Sequence, residues 1–183
     1  MACTCSAVKP NFFITSGPLP EAPKWSTPIT IDPAFSSDPA GGYQYISVAI
    51  DSAGKPAVAY FDGWNGDLKF AAANPTSGKW FAETLDKSGS VGLYPSLAFG
   101  RSGQPTITYY DRTNKDLKMA SASSNTASFS ATRIHTTGDV GRFSSLMLDP
   151  NRKTLTRWAI GYEDTSNGNY KYAIQGGFDG GTQ

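Results

Sequence analysis

The stretches "AYFDGWNGDLKFA" (residues 59–71) and "TYYDRTNKDLKMA" (residues 108–120) decide the fold, because they are the same passage written twice, 49 residues apart. A third, looser copy reads "GYEDTSNGNYKYA" (residues 161–173). The similarity extends upstream to Tyr45, Tyr94 and Phe143, which also lie at intervals of 49 residues. A period of this length, with similarity along the whole unit, is typical of a β-propeller or a solenoid.

Each unit predicts four short strands, because runs of β-branched and aromatic residues alternate with Gly, Pro, Asn and Asp turns. No stretch has a sustained helical period, so almost no helix is expected. Four strands per unit match one propeller blade, and the fold class predicted is all-β with three four-stranded blades. The expected inter-blade core is Val48, Val58, Leu97, Ile107 and Leu146. The predicted first strands are Ser47–Asp51, Ser96–Gly100 and Ser145–Asp149, the second Ala57–Phe61 and Thr106–Tyr110, the third Leu68–Ala72, Leu117–Ser121 and Tyr170–Ile174, and the fourth Lys79–Leu85 and Phe129–Ile134.

The repeat region spans residues 24–183, with blades at approximately 45–90, 94–139 and 143–178. The third unit lacks a fourth strand, whereas "KWSTPITID" (24–32) resembles the fourth strand "KWFAETLDK" (79–87) without a blade before it. Three blades are too few for a ring, so we expect exchange of the Trp25–Ile31 strand between copies, two chains making six blades. Docking on a larger protein assembly, or a fragment of a larger propeller, are the alternatives.

The repeat resembles the blades of bacterial sialidase-like and lectin-like β-propeller proteins over residues 45–173. The resemblance is carried by "SVAIDSAGKPAVAYFDGWNGDLKFA" and "SLAFGRSGQPTITYYDRTNKDLKMA". It implies a non-catalytic binding or scaffold module for a glycan or a protein surface, similar to small lectins that complete propellers by oligomerising. The alternative it implies is a sialidase-like glycan hydrolase with a site at the propeller centre. The enzymes have an arginine cluster with an acid and a tyrosine nucleophile, but Arg101, Arg112, Arg133, Arg142, Arg152 and Arg157 occupy no repeated position.

A repeated acidic and amide pattern follows each second strand. It could form a ring of ligands for calcium or sugar hydroxyls, but Asp and Asn at these spacings also stabilise turns through their backbone amides. Because the pattern recurs while its neighbours vary, we favour the structural role. These turn residues are Asp62, Asn65, Asp67, Asp111, Asn114, Asp116, Asp164, Asn167 and Asn169.

One rim of the blades is the predicted ligand site. Trp64 places a large aromatic ring in a turn where the other copies have Thr113 and Ser166, and aromatic faces are frequent platforms for sugars and proteins. Since chain direction alternates between strands, the loops that enter the first strands share this rim. The expected ligand-binding residues are Trp64, Arg112, Tyr43, Leu93 and Arg142.

The rest of the sequence narrows the class of protein. The net charge of +1 gives no electrostatic footprint for nucleic acid. No apolar run is long enough to span a membrane.

His135 has no partner pattern for a catalytic triad and is interpreted as structural. Neither a catalytic constellation nor a metal or cofactor site is predicted. Residues 1–23 read as an extended arm in which Phe12, Phe13 and Ile14 could anchor a partner.

Compartment and cysteine chemistry stay open at this point. The N-terminal stretch lacks the charged start and apolar core of a secretory signal. Either the protein stays inside the cell or an export signal has been removed, in which case an extracellular or periplasmic location is favoured. Cys3 and Cys5 are read as free thiols, with an inter-chain disulfide, a lipid attachment or a metal clip as alternatives.

Overall fold

The computed structural model describes residues 24–32, 45–74, 76–149 and 157–176 and is all-β in these ranges. The expected fold class of propeller-type blades is confirmed: the strands form two four-stranded sheets and one three-stranded sheet, all antiparallel, and no helix occurs in the described residues. In chain order the strands are β1 (Ile46–Ile50), β2 (Pro56–Asp62), β3 (Asp67–Ala73), β4 (Trp80–Asp86), β5 (Val91–Phe99), β6 (Pro105–Asp111), β7 (Asp116–Ser121), β8 (Ser130–His135), β9 (Val140–Leu148), β10 (Trp158–Asp164) and β11 (Asn169–Ile174). It follows that within these ranges no helix is long and apolar enough to cross a membrane.

Each sheet is a meander whose neighbouring strands follow one another in sequence. The first sheet has the order β1-β2-β3-β4, the second β5-β6-β7-β8, and the third β9-β10-β11. Strands β5 and β9 are longer than predicted, because each begins before the expected first strand and passes through a register shift. The extra residues bring the entering chain onto the rim described below.

The sheets are arranged as blades whose first strands converge. Strand β1 contacts β5, and β5 contacts β9. The amide of Leu97 donates a 3.0 Å hydrogen bond to Ser47 Oγ, and the amide of Leu146 repeats it with a 2.9 Å bond to Ser96 Oγ. The first strands are therefore the inner strands of an incomplete propeller.

The core lies between the blades, as the sequence predicts for Leu97, Ile107 and Leu146, whereas Val58 is buried with Tyr60, Ala71 and Ile31 and contacts no second blade among the described residues. Leu97 and Ile107 of the second blade are buried against Ala59 and Phe70 of the first. Leu146 is buried in the corresponding cluster between the second and third blades, which contains Leu117 and Trp158 and against which Ala98 packs.

The expectation for Val48 is wrong. Its side chain is 66% exposed, although it occupies the repeat position of Leu97 and Leu146. A side chain at this position packs onto the preceding blade, and no blade precedes the first one in the described residues. Burial here is decided by a neighbouring sheet and not by the residue's own hydrophobicity.

In the part of the chain that the structure describes, the third sheet has three strands, as the sequence predicts for this unit. The predicted strand over Trp25–Ile31 does not form within this chain: residues 24–32 contain no strand, and most of their side chains are exposed. Its end is nevertheless fixed, because Ile31 packs on Val58 and Tyr60 and Asp32 bonds to the first blade.

Candidate ligand-binding rim

The repeated Asp and Asn residues form hydrogen-bonded turns between the second and third strands. Asp62 Oδ1 accepts bonds from the backbone amides of Trp64 (3.1 Å) and Asn65 (3.2 Å), and Asp62 Oδ2 accepts a 2.9 Å bond from the Asn65 side chain. The pairs Asp111–Asn114 and Asp164–Asn167 repeat the side-chain bond at 2.9 and 2.8 Å. Their partners Asp67, Asp116 and Asn169 begin the following strands. The turns are thus rigid platforms for the residues at their tips.

These turns and the linkers between blades form one continuous rim. The first linker joins the turns on either side of it, because the Val91 amide donates to Gly66 O (2.8 Å) and the Arg112 amide donates to Ser90 O (2.9 Å). The second linker repeats the arrangement with bonds from Val140 to Lys115 O and from Thr165 to Asp139 O. The turns and the loops entering the first strands therefore share one edge of the array.

Glycine is required where each linker crosses the preceding blade. Gly92 has φ 101°, and a Cβ built there would lie 2.6 Å from Leu68 Cα. Gly141 has φ 104°, and its Cβ would lie 2.7 Å from Leu117 Cα. A side chain at either position would collide with backbone that cannot move aside, so the glycine sets how closely two blades approach.

Trp64 differs from its repeat equivalents in what its side chain does. Thr113 Oγ1 accepts a 2.8 Å bond from the Ser90 amide, and Ser166 Oγ accepts a 2.7 Å bond from the Asp139 amide, so both tie a turn to a linker. Trp64 instead is 64% exposed at the tip of its turn. At this repeat position, the side chain bonds to a linker in the second and third blades and exposes an aromatic ring to solvent in the first blade.

Arg112 lies on the other side of the same linker from Trp64. Its side chain is exposed, and its backbone amide bonds to Ser90 of the linker. The turn that carries Trp64 and the turn that carries Arg112 therefore lie on either side of residues 88–90 on the rim. Neighbouring turns thus carry an apolar aromatic face and a planar donor group.

Arg142 is placed on the rim but is engaged in a local cluster. Its guanidinium lies 5.2 Å from the Tyr110 ring centre and 3.0 Å from Asp139 Oδ2. Tyr110 donates a 2.7 Å bond to Asp139 Oδ1, and burial together with this bond raises the pKa of Tyr110. Arg142 thus joins the second linker to the second blade, with part of its side chain still at the surface.

Of the remaining predicted site residues, only Leu93 lies within the described residues, and its side chain is not presented at this rim. Leu93 is buried and packs with Phe61 and Tyr110, so its side chain does not reach the surface. Its position in the loop sequence suggested exposure, but the long β5 strand turns it into the core. Tyr43 and the arm residues Phe12, Phe13 and Ile14 lie outside the described residues, as do Cys3 and Cys5.

An aromatic stack that sequence reasoning did not select as a site runs across all three blades. The ring centres of Tyr45 and Tyr94 are 4.1 Å apart, and those of Tyr94 and Phe143 are 4.2 Å apart. Tyr94 and Phe143 have φ values of 51° and 49°, which is uncommon for bulky residues. The sequence signal for this stack is the 49-residue spacing of its three aromatic residues, which by itself indicates only the length of the repeat.

A second repeated feature joins the outer strand of one blade to the next blade. Asp86 Oδ2 accepts bonds from Tyr109 Oη (2.8 Å) and from Lys118 Nζ (2.5 Å). Burial alone would raise the pKa of Asp86, but hydrogen bonds from Lys118, Ser88 and Tyr109 outweigh it and lower the pKa to about 2. The charged carboxylate is therefore held firmly at this junction.

The other two junctions vary this arrangement. Asp32 Oδ2 lies 2.5 Å from both Tyr60 Oη and Lys69 Nζ, so the N-terminal segment supplies the acid for the first blade. At the junction with the third blade, His135 occupies the repeat position of Asp86. His135 Nδ1 lies 3.1 Å from Tyr162 Oη, and Lys171 pairs with Asp164 at 2.6 Å. In all three cases the groups are committed to holding elements together, including the histidine that the sequence reads as structural.

No protein-family profile and no curated protein matches the sequence. Among solved structures, the chain is similar to an exo-β-1,3-galactanase from Clostridium thermocellum, with 14% identity over 70% of this chain and a TM-score of 0.46. It covers 30% of the galactanase chain, so it spans less than a third of that protein. It is also similar to a fucose lectin from Kordia zhangzhouensis, solved with methyl-fucoside, with 15% identity over 75% of this chain and 94% of the lectin, and a TM-score of 0.48.

Proposed function

We propose that this chain is a non-catalytic glycan-binding module that holds a saccharide on the rim between Trp64 and Arg112. The observation that carries the proposal is the exposure of Trp64 on a turn fixed by Asp62 and Asn65. A large ring held on a rigid turn loses little conformational entropy when a ligand stacks on it.

The chemistry of the two side chains fits a sugar. The face of an indole ring accepts the apolar C–H face of a pyranose, and a guanidinium donates several hydrogen bonds in a fixed plane to hydroxyl oxygens. The turns that carry the two groups lie on either side of residues 88–90, whose backbone is bonded to Gly66 and Arg112. In this proposal the saccharide binds to turns whose backbone is already held in place by hydrogen bonds.

A protein surface is the second partner class that the sequence allows, and the rim fits it less well. The turns that form the rim are polar, with Asn65, Thr113, Asn114 and Ser166 near their tips, and a protein interface is usually centred on a larger group of apolar or aromatic anchors. Capture of a protein in place of a glycan is an outcome of the experiment below.

The hydrolase alternative is the weaker proposal, because the repeated carboxylates are engaged in turns and blade junctions. Asp62, Asp111 and Asp164 hold turns, and Asp86 is bonded to Tyr109 and Lys118. Hydrolysis of a glycoside uses a pair of carboxyl groups that face one site with different pKa values. The committed carboxylates have structural partners instead.

The experiment is a glycan array followed by titration of the bound saccharide. Trp64→Ala is expected to weaken binding at least tenfold, about 1.4 kcal/mol, whereas Trp64→Phe retains an aromatic face and most of the affinity. Arg112→Ala is expected to weaken binding. Its control is Arg133→Ala, because Arg133 is an exposed arginine on the outer strand β8 and pairs with Asp116. Binding that is unchanged in Trp64→Ala, or binding of proteins but of no glycan, would contradict the proposal.

A further inference from the structure

The two ends of the blade array expose apolar faces that belong to inter-blade contacts. At the first blade the side chains of Ile46, Val48 and Ile50 project from β1 and are exposed. At the third sheet Met147, Tyr170 and Tyr172 are exposed, and the Tyr170 side chain is 88% accessible. Large apolar groups in such sets are unusual on a free surface and mark interaction sites.

The repeat shows what each exposed residue does when a neighbour is present. Leu97 and Leu146 occupy the position of Val48, and both are buried against the preceding blade. Ala49 and Ala98 occupy the position of Met147 and pack against the following blade, as Leu68 and Leu117 do at the position of Tyr170. The exposed face of the third sheet therefore corresponds to a face that contacts a following blade. The exposed face of the first blade corresponds to a face that contacts a preceding blade.

The aromatic stack ends in the same complementary way. Phe143, the last ring, is 63% exposed. Beside Tyr45, the first ring, there is a cavity of about 420 Å³ lined by Tyr60, Phe61, Ile46 and residues 29–32. At the first internal junction Tyr45 and Phe61 pack with Tyr94 and Tyr110 in one cluster. The cavity thus lies where the ring of a preceding blade would continue the stack.

The segment 24–32 occupies the place of an outer strand from a preceding blade. Asp32 makes the contacts with Tyr60 and Lys69 that Asp86, at the end of β4, makes with Tyr109 and Lys118. Ile31 packs on Val58 and Tyr60, as Leu85 packs in the cluster of Ile107 and Tyr109.

Among the described residues, the part of this segment before Ile31 belongs to no sheet, and the third sheet has no fourth strand beside β11. Trp25 is 97% exposed, and residues 25–30 belong to no sheet formed by the described residues. Among the described residues no strand covers the outer edge of β11, where the first and second blades have β4 and β8. The backbone of a single edge strand offers a row of donors and acceptors that another chain can pair with.

We propose that a second copy of this chain docks head-to-tail, and that two copies close a six-bladed ring. The third sheet of one copy packs on the first blade of the other. Phe143 then enters the cavity beside the partner's Tyr45, and the partner's segment 24–30 adds to the edge of β11 as its fourth strand. The described residues form three blades, which is below the range of known propellers, whereas two copies would supply six, which is within it.

The test uses two variants that each spoil one face. Val48→Asp places a charge on the first-blade face, and Met147→Asp places one on the third-sheet face; both side chains are exposed, so each variant is expected to fold. Circular dichroism checks folding, and light scattering gives the particle mass. The wild-type chain is expected at twice the 19.5 kDa chain mass, and each variant at the chain mass. Thr132→Asp, a matched charge on the exposed strand β8, is expected to stay at twice the chain mass.

Mixing the two monomeric variants distinguishes this contact from any symmetric one. A Val48→Asp copy retains an intact third-sheet face, and a Met147→Asp copy retains an intact first-blade face, so the mixture is expected to form a mixed dimer through one sound junction. A contact that uses the same patch on both copies would not be restored by mixing. A wild-type monomer at tens of micromolar, a dimer that survives both substitutions, an unrestored mixture, or an open polymer would each overturn the closed ring.

The outcome is independent of the glycan proposal. Trp64 and Arg112 lie on rim turns and not on either terminal face. Loss of ring closure with glycan binding retained by the monomer would reject the assembly alone, and loss of glycan binding in a closed ring would reject the binding site alone.

Discussion

The hydroxyl of Tyr109 donates a 2.8 Å hydrogen bond to Asp86, which ends the outer strand of the preceding blade. Lys118 bonds to the same carboxylate oxygen, and all three residues are buried. One acidic side chain thereby fixes the position of one blade on the next. Because the arrangement recurs at Asp32 with Tyr60 and Lys69, it is a repeated joint of the fold.

Breaking the joint is expected to cost far more than breaking a surface ion pair. Asp86→Ala leaves Lys118 buried without its closest partner, and the free energy of unfolding should fall by about 3–5 kcal/mol. Arg133→Ala removes an ion pair whose arginine is more than half exposed, and should cost less than about 1 kcal/mol. Urea unfolding of both variants measures the difference, and equal losses would show that Asp86 does not hold the blades together.

The same carboxylate should make stability depend on acid pH. The pKa of Asp86 is lowered from 3.8 to about 2 in the folded chain. A lowered pKa contributes stability that is fully present above pH 4 and is lost as the pH falls towards 2, with a magnitude of about 2 kcal/mol.

Thermal unfolding between pH 5 and pH 2 measures this dependence, with Asp86→Asn as the control. Asp164, whose pKa is lowered by hydrogen bonds from Lys171 and Asn167, should leave a smaller residual slope in that variant. An Asp86→Asn slope as steep as that of the wild type would contradict the assignment.

Replacement of the linker glycine should separate two blades. Gly92→Ala places a methyl group against the backbone of Leu68 and forces a residue with a side chain to adopt φ near 101°. Since neither the backbone nor the left-handed conformation relaxes easily, we expect a loss of at least about 2 kcal/mol in unfolding free energy. Gly103→Ala is the matched control, because Gly103 also has positive φ but has open space around it; a similar loss in both would mean that conformation alone is responsible.

Two residues at one repeat position should respond differently to truncation. Leu97→Ala removes a side chain buried between blades and should cost about 2–5 kcal/mol at any protein concentration. Val48→Ala should have little effect on a single chain, because the side chain is exposed, and should act only where copies associate. Unfolding curves at low and high protein concentration measure this, and a large, concentration-independent loss in Val48→Ala would contradict the open face.

Much of the fold can be read from the sequence because the repeat is written in local chemistry. Asp62 and Asn65 define a turn through bonds to neighbours two and three residues away, and alternating residues such as Val58 and Tyr60 define a strand without reference to the rest of the chain. The three strands that the described residues form in the third unit could also be predicted, since each of them is a separate segment in the sequence. The rim shared by turns and linkers followed from the alternation of strand direction.

The tertiary structure decided the features that depend on distant neighbours. Val48 and Leu97 are equivalent in sequence, yet one is exposed and the other buried, because burial requires a second sheet on the same side. Leu93 belongs to a loop in the sequence pattern and to the core in the structure. The bond between Asp32 and Lys69 joins residues 37 positions apart, and no local pattern determines such a pairing. Local turn and strand chemistry is written in single stretches of sequence, whereas packing between blades is set only when the whole array is assembled.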